Sequence, residues 1–323
     1  MERGHHVGQI DAQNVPRFVG FRTFARLPRL EDVTHADAAI LGAPIDLGTT
    51  FRSGPRFGPA AIREASLLLK PYSEPLDLSP FDDMQVVDAG DAPASPIDLV
   101  AAHTTIEEHA RELHERGTAV IGLGGDHSVA LPLLRAAAAT HGTLSLLQLD
   151  SHTDTWDSYF GGHKLTNGTI FRRAAEENLI DPARSVQIGL RGGLYSGVDY
   201  SDNRELGFKP LLARELDDVG VRGALALAHD HCVLPTYVTL DIDVLDPAFA
   251  PGTGTPEIGG MTTRELLAFL RGLTGLRAGI VAGDVVEVSP PYDPSGVTAL
   301  AGASLAWELL CLLAHYRAES SSP

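Results

Sequence analysis

The chain has 323 residues, 44% of them hydrophobic and 21% charged, the profile of a soluble globular protein that can bury a large core. A formal net charge of −17 excludes general affinity for nucleic acid or an anionic membrane, which needs clustered Lys and Arg to displace counterions; a cationic substrate suits it better. Two distant cysteines, Cys232 and Cys311, exclude a disulfide framework or zinc–thiolate site. With no apolar leader at the N-terminus and no run near 18 apolar residues, a cytoplasmic protein without a membrane span is expected.

Residues 1–30 read as an N-terminal arm, carrying His5 and His6 as mobile residues. A strand is predicted at Ala38 to Ala43, a helix at Pro59 to Leu69, a strand at Gln85 to Asp88 and a helix at Ile97 to Arg116. Strand Ala119 to Leu123 leads to helix Val129 to Ala139, strand Leu144 to Asp150 to helix Thr169 to Asn178, and strand Val186 to Leu190 to helix Val221 to His229. Strand Tyr237 to Asp241, helix Thr263 to Gly272, strand Ile280 to Val288 and helix Val297 to Tyr316 complete the order. Nearly continuous apolar strands alternating with helices predict an α/β fold, a mainly parallel sheet covered on both faces. No repeat or linker divides the chain, so residues 1–323 are read as a single domain. In such sheets ligands bind beyond the carboxyl ends of the strands, so function is sought there.

Leu123-Gly124-Gly125-Asp126-His127-Ser128 closes one strand and opens a helix, with glycines for a tight turn and Asp126 or Ser128 available as a cap. Alone it is weak evidence, since a glycine-rich turn can also cradle phosphate and a lone histidine is more often a hydrogen-bonding residue. The next strand ends in Asp150-Ser151-His152-Thr153-Asp154, where i, i+2 and i+4 would project to one side of an extended segment and converge. A later strand runs into Asp241-Ile242-Asp243, repeating the i, i+2 spacing. Crowded carboxylates repel unless a cation lies among them, so metal binding is the economical reading. Four carboxylates and two imidazoles without thiolate suit Mn²⁺, although Ni²⁺, Co²⁺ or Zn²⁺ could bind. Two dications would lower the pKa of a shared water enough to supply hydroxide near neutral pH, a nucleophile without serine or cysteine.

These motifs resemble the signatures of the ureohydrolases, the family of arginase, agmatinase, guanidinobutyrase and proclavaminate amidinohydrolase. The resemblance extends over Ser53-Gly54-Pro55-Arg56-Phe57-Gly58-Pro59, Pro251-Gly252-Thr253-Gly254-Thr255-Pro256 and Asp284-Val285-Val286-Glu287-Val288-Ser289-Pro290. It implies a single-domain three-layer α/β/α arginase-like fold and two Mn²⁺ per subunit. His127, Asp150, Asp154 and Asp241 would hold one ion, and His152, Asp150, Asp241 and Asp243 the other, Asp150 and Asp241 bridging. Glu287 would hold the substrate guanidinium, which fits a carboxylate facing a planar donor fork. A homotrimer or homohexamer is implied too. The expected reaction cleaves agmatine, 4-guanidinobutyrate or a related guanidino compound to urea and an amine.

One position departs from the pattern. The family usually has His-Gly-Thr after the second metal motif, its histidine shuttling protons to the leaving amine, where this chain has Asn167-Gly168-Thr169. Asparagine cannot titrate. His163, four residues earlier, is a candidate replacement, and Trp156, Asp157, Tyr195 and Asn167 are candidates for the substrate mouth. Three alternatives stay open: an atypical guanidine or biguanide substrate, a metal-binding relative with weak or no catalysis, and a single-zinc deacetylase of similar architecture.

Overall fold

A computed structural model describes residues 6–321 of the chain. Eight strands form one sheet: β1 (Ala38–Ala43), β2 (Val86–Asp91), β3 (Ala119–Gly124), β4 (Ser145–Leu149), β5 (Val186–Leu190), β6 (Lys209–Leu212), β7 (Thr236–Asp241) and β8 (Ile280–Val286). Their order is β2-β1-β3-β8-β7-β4-β5-β6, and each neighbouring pair is parallel. The helices are α1 (Gly58–Ser66), α2 (Pro80–Asp83), α3 (Leu99–Glu115), α4 (Ala130–His141), α5 (Ile170–Glu176), α6 (Asp199–Glu205), α7 (Ala213–His231), α8 (Thr263–Arg271) and α9 (Val297–Ser321).

Apolar residues of α1, α7, α8 and α9 pack one face of the sheet and those of α3, α4 and α5 the other, giving three layers over two cores. The four central strands are buried along nearly their whole length, which explains why the sequence shows apolar runs there instead of alternation. Chain order reverses at the middle: β1 to β3 build one half, β4 to β6 the other, and β7 and β8 fill the gap between them. The loops following β3, β4, β7 and β8 therefore crowd over one crevice, the position that a parallel sheet offers a ligand.

The seven predicted strands are present, and β6 is an eighth that the pattern missed. At four residues, Lys-Pro-Leu-Leu, it is too short for a periodic signal, and its proline is tolerated because the strand is an edge. The predicted helix at Val221 to His229 begins earlier, at Ala213, and is broken at Gly220, whose φ of 64° leaves the helical region. The N-terminal arm is anchored, not mobile, over its described part: His6 Nε2 lies 2.8 Å from the Phe81 carbonyl oxygen, and Phe24 to Leu27 are buried. His5 lies outside the described residues. Among the described residues one helix is long and apolar enough to cross a membrane, α9, contrary to the sequence expectation. With 78% of that window buried and contacts to α1, α8 and β8, it is the central helix of one layer.

Candidate metal centre and cleft

The candidate ligands come from three of the four central strands. Asp126, after β3, caps the turn that begins α4 by accepting from Ser128 N at 2.8 Å, and it also accepts from Gly48 N at 2.7 Å. That cap turns His127 inward, where it is fully buried. The segment after β4 is not the extended ribbon expected from the i, i+2, i+4 spacing. β4 ends at Leu149, and Asp154 has a φ of 52°, so the backbone turns in order to return Asp154 to the site. After β7, Asp241 caps a single 3-10 turn by accepting from Asp243 N at 2.9 Å, which brings the second carboxylate back beside the first.

The side chains meet in two groups that share Asp150. Around His127 Nδ1 stand Asp154 Oδ2 at 2.9 Å and Asp150 Oδ2 and Asp241 Oδ2 at 3.2 Å each. Around His152 Nδ1 stand Asp243 Oδ2 at 3.1 Å and Asp150 Oδ1 at 3.6 Å. Although three carboxylate oxygens approach it, none is aligned as an acceptor for a ring N–H, and buried His127 Nδ1 has no hydrogen-bond partner. An imidazole nitrogen facing a ring of carboxylates could hold a cation, and an all-oxygen and imidazole donor set suits a hard to borderline divalent ion. Without a cation the groups compensate one another: burial pushes Asp154 up to about 7 while neighbouring carboxylates attract a proton to His127.

Surrounding polar residues fix this arrangement. Gln187 Nε2 donates to Gln148 Oε1 at 2.6 Å, which leaves Gln148 Nε2 to donate to Asp150 Oδ2 at 2.7 Å. Ser151 Oγ donates to Asp243 Oδ1 at 2.7 Å. None of these residues was singled out from the sequence, although Gln148 and Gln187, polar residues inside apolar strands, carried a usable signal.

Glu287 follows β8 with a φ of 62°, so it also leaves the strand in a left-handed turn, which is why β8 ends at Val286 and not at Val288 as expected. Its Oε1 accepts from His127 N at 2.9 Å and from Asn167 Nδ2 at 3.1 Å. Oε2 is buried without a partner, and burial pushes the carboxyl up to about 8. A cleft of about 630 Å³ opens over the site, lined among others by His152, Asp154, Trp156, Asn167, Tyr195 and Arg52. Trp156, Tyr159 and Tyr195 pack edge to face along it, with ring centroids 5.6–5.9 Å apart. Asp157 and His163 are not among its lining residues. Asp157 lies 3.2 Å from Arg173 Nη2, and His163 is exposed on a hairpin turn where its N donates to the Tyr159 carbonyl at 2.8 Å. A larger cleft, about 770 Å³, lies among Asp37, His114, His141 and Arg277 and contains none of the candidate residues.

A parallel α/β/α sheet with histidine and aspartate groups gathered where its strand order reverses defines the class: an α/β protein with a candidate metal centre at the carboxyl ends of its strands. The chain belongs to the arginase family, whose model matches residues 36–312. It is 47% identical over 317 residues to a guanidinopropionase of Pseudomonas aeruginosa, covering 98% of this chain and 99% of that one. It is 42% identical to a guanidinobutyrase of the same organism, with coverage of 94% and 96%. Among solved structures, the proclavaminate amidino hydrolase of Streptomyces clavuligerus superposes with a TM-score of 0.87 at 41% identity, covering 93% of this chain and 99% of that one.

Proposed function

We propose that the chain hydrolyses the guanidinium group of a small guanidino compound, such as agmatine, 4-guanidinobutyrate or a near homologue, to urea and an amine, using two divalent ions, Mn²⁺ foremost. The observation that carries this reading is the sharing of Asp150: its Oδ2 faces His127 Nδ1 and its Oδ1 faces His152 Nδ1, so one carboxylate serves two adjacent cation groups. His127, Asp150, Asp154 and Asp241 would hold one ion; Asp150, His152 and Asp243 the other, with Asp241 as the second bridge. Bound there, the ions would supply a water of lowered pKa between them.

The rest belongs to the chain's own groups. Glu287 would receive the guanidinium through its free Oε2, since a cation placed there draws the buried carboxyl back to its ionised form and makes a charge-assisted pair. His127 N and Asn167 Nδ2, both donating to Oε1, hold that carboxylate in one orientation. Trp156, Tyr159 and Tyr195 would exclude water along the cleft and face the substrate's methylene chain. Asn167 cannot pass a proton to the leaving amine, and exposed His163 is poorly situated to replace it, which supports a slow enzyme or one whose substrate needs little protonation, such as an atypical guanidine. The two Pseudomonas relatives favour a guanidino acid; agmatine and a trimeric or hexameric assembly rest on the family resemblance alone, and a cytoplasmic setting on the composition of the chain.

A urea-release screen with Mn²⁺ and Ni²⁺ across 3-guanidinopropionate, 4-guanidinobutyrate, agmatine, arginine, guanidine and biguanides tests the reading. Urea from at least one of them above a metal-stripped control is expected. No urea from any with either metal would leave only a non-catalytic binding role.

A further inference from the structure

Behind His127, on the side away from the carboxylates, lies a buried chain of hydrogen bonds that the reaction above does not use. His127 Nε2 is 2.8 Å from Thr239 Oγ1; Thr239 Oγ1 donates to Asp284 Oδ1 at 2.6 Å; Tyr237 OH donates to Asp284 Oδ2 at 2.6 Å. Thr239 and Asp284 are register partners on β7 and β8, and Tyr237, two residues before Thr239 on the same strand, points to the same face. Tyr237, Thr239 and Asp284 are each buried, without solvent to substitute for a lost partner.

The direction of each bond follows from the chemistry of its ends. A carboxylate oxygen only accepts, so the single hydroxyl proton of Thr239 is committed to Asp284, and the hydroxyl can only accept from His127. The imidazole then carries its hydrogen on Nε2, and Nδ1, the atom facing Asp150, Asp154 and Asp241, is left with its lone pair. Tyr237 fixes the far oxygen of Asp284, so the carboxylate cannot rotate to release Thr239.

We propose that Thr239, Asp284 and Tyr237 form a positioning relay that sets the tautomer and ring orientation of His127 and thereby the affinity of the first of the two cation groups. It rests on the reading of His127 as a metal ligand. The three residues never meet substrate, and their influence is confined to one of the two ions, because no hydrogen bond runs from the relay to His152 or Asp243 among the described residues.

The test is calorimetric titration of Mn²⁺ into the metal-stripped full chain, with the unfolding temperature of each metal-free variant measured alongside. Thr239→Val is expected to weaken one of two binding events about 10- to 100-fold and leave the other unchanged, and Thr239→Ser, which keeps the hydroxyl, to restore it. Tyr237→Phe weakens the same event by a smaller factor and supplies the test if Thr239→Val does not fold. Wild-type binding in Thr239→Val, no rescue by Thr239→Ser, or equal weakening of both events with a lowered unfolding temperature would overturn the relay. An unchanged isotherm in His127→Asn, by contrast, would remove the metal-ligand reading itself.

Discussion

Asn167 does a different job from the titrating histidine it stands in for. It is buried, its backbone N donates to the Gly48 carbonyl at 2.9 Å, and its amide orients Glu287. It therefore joins the loop that follows β1 to the carboxylate proposed to receive the guanidinium, and positions without transferring a proton. Restoring an imidazole should restore transfer: Asn167→His is expected to raise urea release from agmatine by about 10²-fold, within the usual range for a general acid, in a steady-state assay with saturating Mn²⁺. No gain would mean that the proton reaches the amine by another route. The candidate ligand residues could be singled out from the sequence because they crowd at strand ends, where repelling carboxylates need a reason. The partnership of Thr239 and Asp284 could not, since it exists only once β7 and β8 are known to be neighbours.

At the scale of elements, the site depends on how closely the β1 and β3 loops approach. A Cβ on Gly125 would lie 2.2 Å from the Ile45 carbonyl oxygen and 2.6 Å from that of Ala43, both backbone atoms that cannot swing aside. Gly125 N donates to the Ala43 carbonyl and Asp126 N to the Ile45 carbonyl, so the turn presenting His127 is fastened at the same spot. Gly125→Ala is expected to cost about 1–3 kcal/mol in denaturant unfolding and to weaken Mn²⁺ binding at the His127 group, because the turn must move away. Unchanged stability and binding would show that the loops yield more easily than their contacts imply. From the sequence this glycine was assigned only to a tight turn; its real constraint is a tertiary contact with Ala43 and Ile45, distant in the chain. For the same reason the bend at Asp154 was missed, because i, i+2, i+4 spacing describes an extended strand and not a chain folded back by its own site.

Over the whole molecule, the site is a region of the fold that charge works against until a cation arrives. Burial, with help from the Asp150 and Asp126 charges respectively, pushes Asp154 up to about 7 and Glu287 up to about 8, and burial with the Asp243 and Asp150 charges raises Asp241 as well. Acids with raised pKa values bind protons more tightly in the folded state, so the metal-free fold loses stability as pH climbs from the ordinary carboxylate range through 7 and 8. His127, raised by its carboxylate neighbours, contributes with the same sign; Asp150, lowered, opposes only in acid below its unfolded value, and His103 and His114, pushed down to about 4 by burial, oppose up to about 6.5, above which only the loss remains. The metal-stripped chain is therefore expected to unfold at a lower temperature at pH 8 than at pH 5.5, and Mn²⁺ to raise the pH 8 value most. A metal-free melting temperature that rises between those pH values would contradict this balance.

The most direct measurement is anomalous diffraction at the manganese edge from crystals grown with Mn²⁺. Two peaks per chain are expected, about 3.5–4 Å apart, one bonded to His127 Nδ1, the other to His152 Nδ1, with Asp150 touching both. A single peak, or peaks that leave Asp150 uncoordinated, would contradict the account.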